Sequence, residues 1–431
     1  MHAERRRQFL ESMAPDSVAF LVGAVPVTRS ADTEYPFRQN SDFWYLTGFG
    51  HPNAVAVIRK GAGPTYSLFV EPRDRAAETW TGYRPGLEGA RSEHGADEAY
   101  PCEELLGKVP ELIAGARRIY HHLGRNEALD ARLVATLDEM RLRSRAGRTP
   151  ASEWVDPREI IHEMRLHKSD AELELMRRAA AITAEAHHEA ARIAREGHHE
   201  YELEAVLDYT FRRRGGAGPA YTTIVGGGRN ATILHYIAND QPLRDGELVL
   251  IDAGCECEGY AADVTRTYPV GGRYEGARRD LYEVVLSAQL ASLEVARPGA
   301  TLVQVHDASV EALVKGMVDV GLLSGDPAEL IAAEAYRPYY MHNTSHWLGL
   351  DVHDVGTYRE GGEPRSLEPG MCFTIEPGLY VPADDEDVDP RFRGVGIRIE
   401  DDVVITDAGH ENLTAAIPKR PDDVEAWMRE A

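Results

Sequence analysis

The sequence has no apolar run approaching the ~18 residues that a membrane-crossing helix needs, so a helical membrane protein is excluded. Cysteine is scarce: Cys102, Cys255, Cys257 and Cys372 are all there is in 431 residues. Their spacing builds no tetrahedral zinc site and no disulfide scaffold, and reduced thiols in a cytoplasmic protein are expected. Basic charge is in deficit as well. Forty-seven Lys and Arg face 71 Asp and Glu, a net charge of −24 that weighs against nucleic acid or an anionic membrane as partner. A secretion signal is not expected either. Arg5, Arg6 and Arg7 precede an apolar stretch, but Glu11, Pro15 and Asp16 interrupt it, and Val18–Val27 is expected as a first strand.

What remains is ordinary globular material, 43% hydrophobic and 27% charged, long enough for two domains. Up to about residue 150, short β-branched or aromatic runs (54–59, 66–70, 118–122) alternate with helical stretches (103–114, 130–143), which suits an α/β domain. The polar stretch Arg143–Pro150 suits a linker or exposed loop. Ser169 and Glu172 then form a capping box that opens a long helix, so the domains are placed at 1–165 and 166–431. Further helices are expected at 201–213, 278–296 and 302–320.

The second half carries acids where strands normally carry apolar residues. Asp252 ends Leu-Val-Leu-Ile-Asp, Glu376 ends Cys-Phe-Thr-Ile-Glu and Glu400 ends Gly-Ile-Arg-Ile-Glu. Carboxylates are depleted in strands and rarely buried unless paired or metal-bound. A shift of 124 positions superimposes Gly246, Ile251, Asp252 and Gly254 on Gly370, Ile375, Glu376 and Gly378. Each unit is followed by another acid, Asp263 or Glu400, so two related strand units would close around a common point. Segment 246–268 is expected as a hairpin turning near Glu258-Gly259, with Asp252 and Asp263 on adjacent strands. Arg398 and Glu400 would share a face opposite Ile397 and Ile399.

With His346, these four acids make a hard donor set suited to two divalent ions, manganese, cobalt or zinc rather than copper. Two such ions activate a water and polarise a carbonyl, which is hydrolytic chemistry. His235, His342 and His353 bracket the candidate ligands and suit proton transfer or oxyanion donation. Other constellations fail. His162 and His167 are five apart, rotated too far on a helix to share one zinc, and the acidic run 384–389 lacks the glycine and glutamate of an EF-hand. The pairs His121-His122, His187-His188 and His198-His199 are expected at the surface. Gly226-Gly227-Gly228 lacks a dinucleotide-binding spacing and suits a substrate loop.

The strings Met341-His-Asn-Thr-Ser-His-Trp-Leu-Gly-Leu-Asp-Val-His-Asp354, Ile251-Asp-Ala-Gly254, Asp263-Val-Thr-Arg-Thr267, Thr374-Ile-Glu-Pro-Gly378 and Gly396-Ile-Arg-Ile-Glu-Asp401 closely resemble bacterial aminopeptidase P. This is the Xaa-Pro aminopeptidase family of pita-bread metallopeptidases. Arg38–Phe49 resembles the family's N-terminal domain, so the resemblance spans nearly the whole chain. It implies an α/β (α+β) fold whose pita-bread catalytic domain has an internal pseudo-two-fold repeat. It also implies removal of the N-terminal residue before proline through a bridging hydroxide. Asp263 and Glu400 would bridge two manganese ions, Asp252 completing one shell, His346 and Glu376 the other. Glu376 would accept the water's proton and Arg398 steady the cluster. His235 and His342 would border the proline pocket, and His353 would donate to the carbonyl side. The family often assembles as a tetramer in which a neighbour's tryptophan closes the site, and Trp80 matches it. A tetramer or dimer is therefore expected. One departure is Asn343, where the family carries glycine; asparagine tolerates the left-handed backbone that such a turn would need. The rivals are an Xaa-Pro dipeptidase, a non-catalytic binding protein, and a metal-free amidinohydrolase on the same fold.

Overall fold

The protein's structure, a computed structural model, describes residues 1–143 and 149–430. The chain forms two compact units, Met1–Arg165 and Leu166–Ala431. The stretch expected as a linker falls largely on 144–148, outside the described residues.

In the first unit six strands form one mixed sheet, in the order 98–101, 66–70, 55–60, 17–22, 118–121, 153–155. The 17–22 strand pairs antiparallel with 55–60 and parallel with 118–121. Val18, Phe20, Val57, Phe69 and Ile119 pack against Val109 and Leu112 of helix Leu105–Leu112 and against Leu129 and Leu133 of helix Glu127–Leu142. The first strand is shorter than expected. It stops at Val22, and Val25 and Val27 are each 61% exposed. Pro26 has no N–H to donate to a ladder, and its ring disfavours continuation.

The second unit opens with helix Asp170–Arg192, whose Ser169–Glu172 capping box is formed as expected. Helices Glu200–Arg213, Gly276–Val295 and Leu302–Val320 follow. They bury apolar stripes (Leu203, Leu207, Leu281, Val285, Leu313, Met317) in one cluster with Val249, Ile251, Ile397 and Ile399 from the strands. The two halves repeat a motif of long strand, short strand, short strand, long strand. The first is 248–252, 255–257, 260–261 and 265–269; the second is 372–375, 378–380, 396–398 and 401–406. In each half the outer pair is antiparallel and the inner pair forms its own two-residue or three-residue ladder.

The hairpin turn falls at Glu258-Gly259 as expected, both residues having positive φ. The repeated glycines are required by close approach. A Cβ at Gly254 would lie 1.7 Å from the Ala262 carbonyl oxygen, and one at Gly378 would lie 2.8 Å from that of Ile397. Only glycine lets each strand cross its own returning partner. The acidic run 384–389 lies in the longer connection between the inner strands of the second half, mostly exposed.

Candidate metal centre

Each acid is delivered by the end of a strand or the step between two. Asp252 is the last residue of strand Leu248–Asp252, and Glu376 directly follows strand Cys372–Ile375. Asp263 precedes strand Thr265–Pro269, and Glu400 lies between strands Gly396–Arg398 and Asp401–Thr406. The two halves are tied where their acids meet, the Glu400 N–H donating to the Thr265 carbonyl at 3.0 Å. Asp252, Asp263, His346, Glu376 and Glu400 all line one cavity of about 720 Å³ within the second unit.

Asp263, His346 and Glu400 each present a donor atom, and these atoms lie within 4.8 Å of one another. His346 Nε2 is also 3.4 Å from Glu376 Oε1. The His346 Nδ1–H donates to the Trp347 carbonyl at 3.0 Å, and because a carbonyl only accepts, Nε2 is left to face the acids. Asp252 stands beside this group, held by Arg398 Nη2 at 2.5 Å and by the Tyr221 hydroxyl at 2.6 Å.

The electrostatics call for added positive charge. Burial, together with repulsion between neighbouring acids, pushes the Asp252, Glu376 and Glu400 carboxyls above their usual range. Burial acts to lower His346, yet Asp263 and Glu376 raise it to about 9. A site that draws a proton this strongly suits a divalent cation, which displaces that proton on binding. The buried oxygens, one outward-facing imidazole nitrogen and the shortfall of cationic partners fit such an ion.

Arg398 is buried among the acids. Besides Asp252 it donates through Nε to Thr265 Oγ1 and through Nη1 to the Tyr380 hydroxyl, both at 3.0 Å. Thr265 in turn donates to Glu400 Oε2 at 2.6 Å, and Thr374 donates to Glu376 at 3.1 Å. One guanidinium therefore links the first acid to the last.

The three histidines also reach the cavity. His342 Nδ1–H donates to the Asn343 carbonyl at 2.8 Å, while Nε2 accepts from the Tyr380 hydroxyl at 2.9 Å. Burial and the nearby Arg398 charge lower His342 to about 4, so it is a neutral imidazole. His353 packs edge-on to His346, ring centroids 4.3 Å apart, and is lowered by burial and by that neighbour. Asn343 does not take the left-handed backbone considered for it; it is not among the positive-φ residues.

Some expectations are corrected. His121 and His187 are buried, at 1% and 0% exposure, rather than at the surface. Each satisfies its ring inside the fold, His121 with Asp130 at 2.6 Å and His187 with the Tyr268 hydroxyl and Ala253 carbonyl, both at 3.1 Å. The glycine triple packs tightly instead of forming an open loop: a Cβ at Gly226 would meet the Ala231 backbone at 3.0 Å. Leu234, His235 and Ile237 line the cavity just beyond it. Trp80 is not among these corrections; it is 88% exposed on helix Arg75–Thr81. Tyr221, Thr265 and Tyr380 were not singled out from the sequence. Thr265 could have been found, since Thr265 and Thr267 alternate toward one face and both bond Arg398.

Hard donors buried at one end of a largely apolar cavity, on two related strand units, suit a metal-dependent hydrolase. Residues 174–407 match the model of metallopeptidase family M24, and residues 2–120 match that of the aminopeptidase P N-terminal domain. The Xaa-Pro aminopeptidase of Escherichia coli K12 is 48% identical over 99% of this chain and 97% of its own length. Zinc-substituted E. coli aminopeptidase P, solved in complex with product, superimposes with a TM-score of 0.95 at 47% identity, covering 99% of this chain and 97% of that one. An aminopeptidase from Pseudomonas aeruginosa gives a TM-score of 0.96 at 46% identity, with 99% and 97% covered. The chain belongs to metallopeptidase family M24, and its second unit has the pita-bread fold.

Proposed function

We propose that this chain is an Xaa-Pro aminopeptidase in which Asp252, Asp263, His346, Glu376 and Glu400 hold two divalent cations, manganese in the first instance. The observation that carries this is the convergence of Asp263, His346 and Glu400 on one point, with Asp252 and Glu376 lining the same cavity. Full-length similarity to Xaa-Pro aminopeptidases favours this activity over a dipeptidase, and the complete donor set argues against a non-catalytic or metal-free protein.

A bound pair of cations supplies an activated water and polarises the scissile carbonyl. Glu376, on the cavity wall, would take the water's proton. His342, neutral and hydrogen-bonded to Tyr380, and His235 stand on the cavity wall, where they can serve the proline side and the leaving nitrogen. His353, which lines the cavity, would donate to the carbonyl as charge develops on it. The aliphatic lining from Ile224, Leu234, Ile237 and Val352 suits a proline ring or an apolar neighbour. The bond before proline has no N–H, so grip must come from the free amine and the carbonyl instead. We further propose residues 1–165 as the aminopeptidase-P-type N-terminal domain, whose exposed Trp80 reaches a neighbour's site in a tetramer or dimer. A cytoplasmic location fits the free cysteines; among the described residues no helix is long and apolar enough to cross a membrane.

The test supplies Xaa-Pro-Yaa tripeptides and Xaa-Pro dipeptides to the manganese-loaded chain. Tripeptide cleavage releasing the first residue is expected, and a preference for dipeptides would overturn it. Asp263→Ala should lower kcat by roughly a thousandfold or more and reduce manganese per chain, with far-ultraviolet dichroism unchanged. Normal turnover in that variant would refute the ligand set.

A further inference from the structure

The cavity wall formed by Leu234, His235 and Ile237 belongs to an irregular segment with little regular structure of its own. Ile233 and Ile237 are 52% and 58% exposed, so the segment's tip is not held by burial. Its two ends converge on one side chain. Glu200, the first residue of helix Glu200–Arg213, is fully buried. Its Oε1 accepts from the Gly227 N–H at 2.7 Å and from Asn230 Nδ2 at 2.9 Å. Its Oε2 accepts from the Tyr236 hydroxyl at 2.8 Å and from the Gln241 N–H at 2.9 Å. The Glu200 N–H also donates to the Gln241 carbonyl at 3.0 Å. Nearby, Asn239, buried and at positive φ, bonds the Val225 N–H and the Thr223 carbonyl.

A buried carboxylate is costly unless both oxygens are satisfied. Here four neutral donors do so, and the position at a helix start adds a favourable dipole. The donor pattern demands a carboxylate in particular. Each oxygen accepts from a backbone N–H, Gly227 at one and Gln241 at the other, so a glutamine in either orientation would aim its NH₂ at an N–H that cannot accept. None of the hub's bonds is to the acids at the strand ends, which other residues hold. It fixes where the segment between residues 227 and 241 sits.

We propose that Glu200 is a positioning residue that sets substrate affinity by strapping both ends of the 227–241 segment, and hence Leu234, His235 and Ile237, against the cavity. This rests on the aminopeptidase reading of the site. With the strap weakened, the binding-competent arrangement of the wall is only fractionally populated, and apparent affinity falls by that fraction. Bound substrate selects the competent arrangement of the wall, His235 included, and the acids and Arg398 are held by other bonds, so turnover of bound substrate is largely kept.

The experiment compares Glu200→Gln and the milder Tyr236→Phe with the parent, each full length and manganese-loaded. The readouts are KM and kcat on an Xaa-Pro-Yaa peptide, manganese content and deuterium uptake. For Glu200→Gln the expected result is a KM raised by about tenfold, kcat within about threefold, unchanged manganese and faster exchange confined to 227–241. Tyr236→Phe should shift KM the same way by less, and it decides the matter if Glu200→Gln does not fold. An unchanged KM, or loss of kcat and manganese together with exchange rising throughout the unit, would overturn the proposal. A parent inert toward the peptide would sink the aminopeptidase reading instead, while the exchange data would still report on the strap.

Discussion

Arg398 illustrates how much of this site depends on single side chains with several bonds. Its three nitrogens reach Asp252, Thr265 and Tyr380, and through Thr265 and Tyr380 they reach Glu400 and His342. A lysine is a point charge and can satisfy only part of this planar fork. Arg398→Lys should therefore lower kcat/KM or manganese affinity by about 10- to 100-fold while the chain stays folded. Steady-state kinetics with a manganese titration checks this, and values within about twofold of the parent would show the fork to be dispensable. At this scale the four converging acids and Arg398 were legible because an acid or arginine closing or interrupting an apolar run breaks a strong rule. Tyr221 and Tyr380 were not, since a buried tyrosine looks the same in sequence whether its hydroxyl meets a ligand or a carbonyl. The same blindness applies to His121 and His187. His187-His188 lies on a helix and His121 ends strand Arg118–His121, and in either element adjacent side chains point to different faces, so one ring of a polar pair can still turn inward.

The strand units were readable for a different reason. An apolar run ending in acid-x-Gly is a local pattern, and its repetition at a fixed offset announces a duplicated element. The inner short strands were hidden: two or three residues carry no period, and only the packing around Gly254 and Gly378 defines them. The segment 342–354, which carries His342, His346 and His353, has almost no regular structure, so its anchoring could not be foreseen either. One anchor is the pair Lys168–Asp354, with Nζ–Oδ2 at 3.0 Å and both side chains 1% exposed. The Asp354 N–H also donates to the Trp347 carbonyl at 2.8 Å, closing the turn that presents His353. Removing the cation would strip a buried carboxylate of this charged partner, which costs more than the pair itself contributes. Lys168→Met should cost about 3–5 kcal/mol in denaturant unfolding, and the double variant with Asp354→Leu should recover much of it. Additive losses in the double variant would show that the two charges do not act as a pair.

The stability of the whole molecule should depend on pH and on metal in separable ways. Burial holds His187 well below its ordinary 6.5, at about 3, with the Arg266 charge adding to this and the hydrogen bond to Ala253 opposing it. Arg266 and the Tyr268 hydroxyl are the polar groups facing it. The unfolded chain takes up this proton below pH 6.5 and the folded chain does not until about pH 3. Stability contributed by this group is thus complete above 6.5 and is lost as pH falls toward 3, by up to about 1.4 kcal/mol per pH unit. Urea unfolding of the metal-free protein between pH 7 and 5 should show a slope that His187→Gln reduces; an identical slope would remove His187 as its source. Metal acts through the other buried cluster. Asp252, Glu376 and Glu400 are raised by burial and by one another, so the metal-free fold carries repulsion that a cation relieves only in the folded state. At pH 7 and a manganese concentration of 100 times Kd, binding should add about 2.7 kcal/mol, a rise of roughly 5 °C or more in Tm for a unit this large. Chelation should reverse it. Asp263→Ala should start with a higher metal-free Tm than its lost metal would suggest, because one repelling acid is gone, and should show little response to manganese. If the variant responds as strongly as the parent, the cation that stabilises the fold is bound somewhere other than among these five side chains.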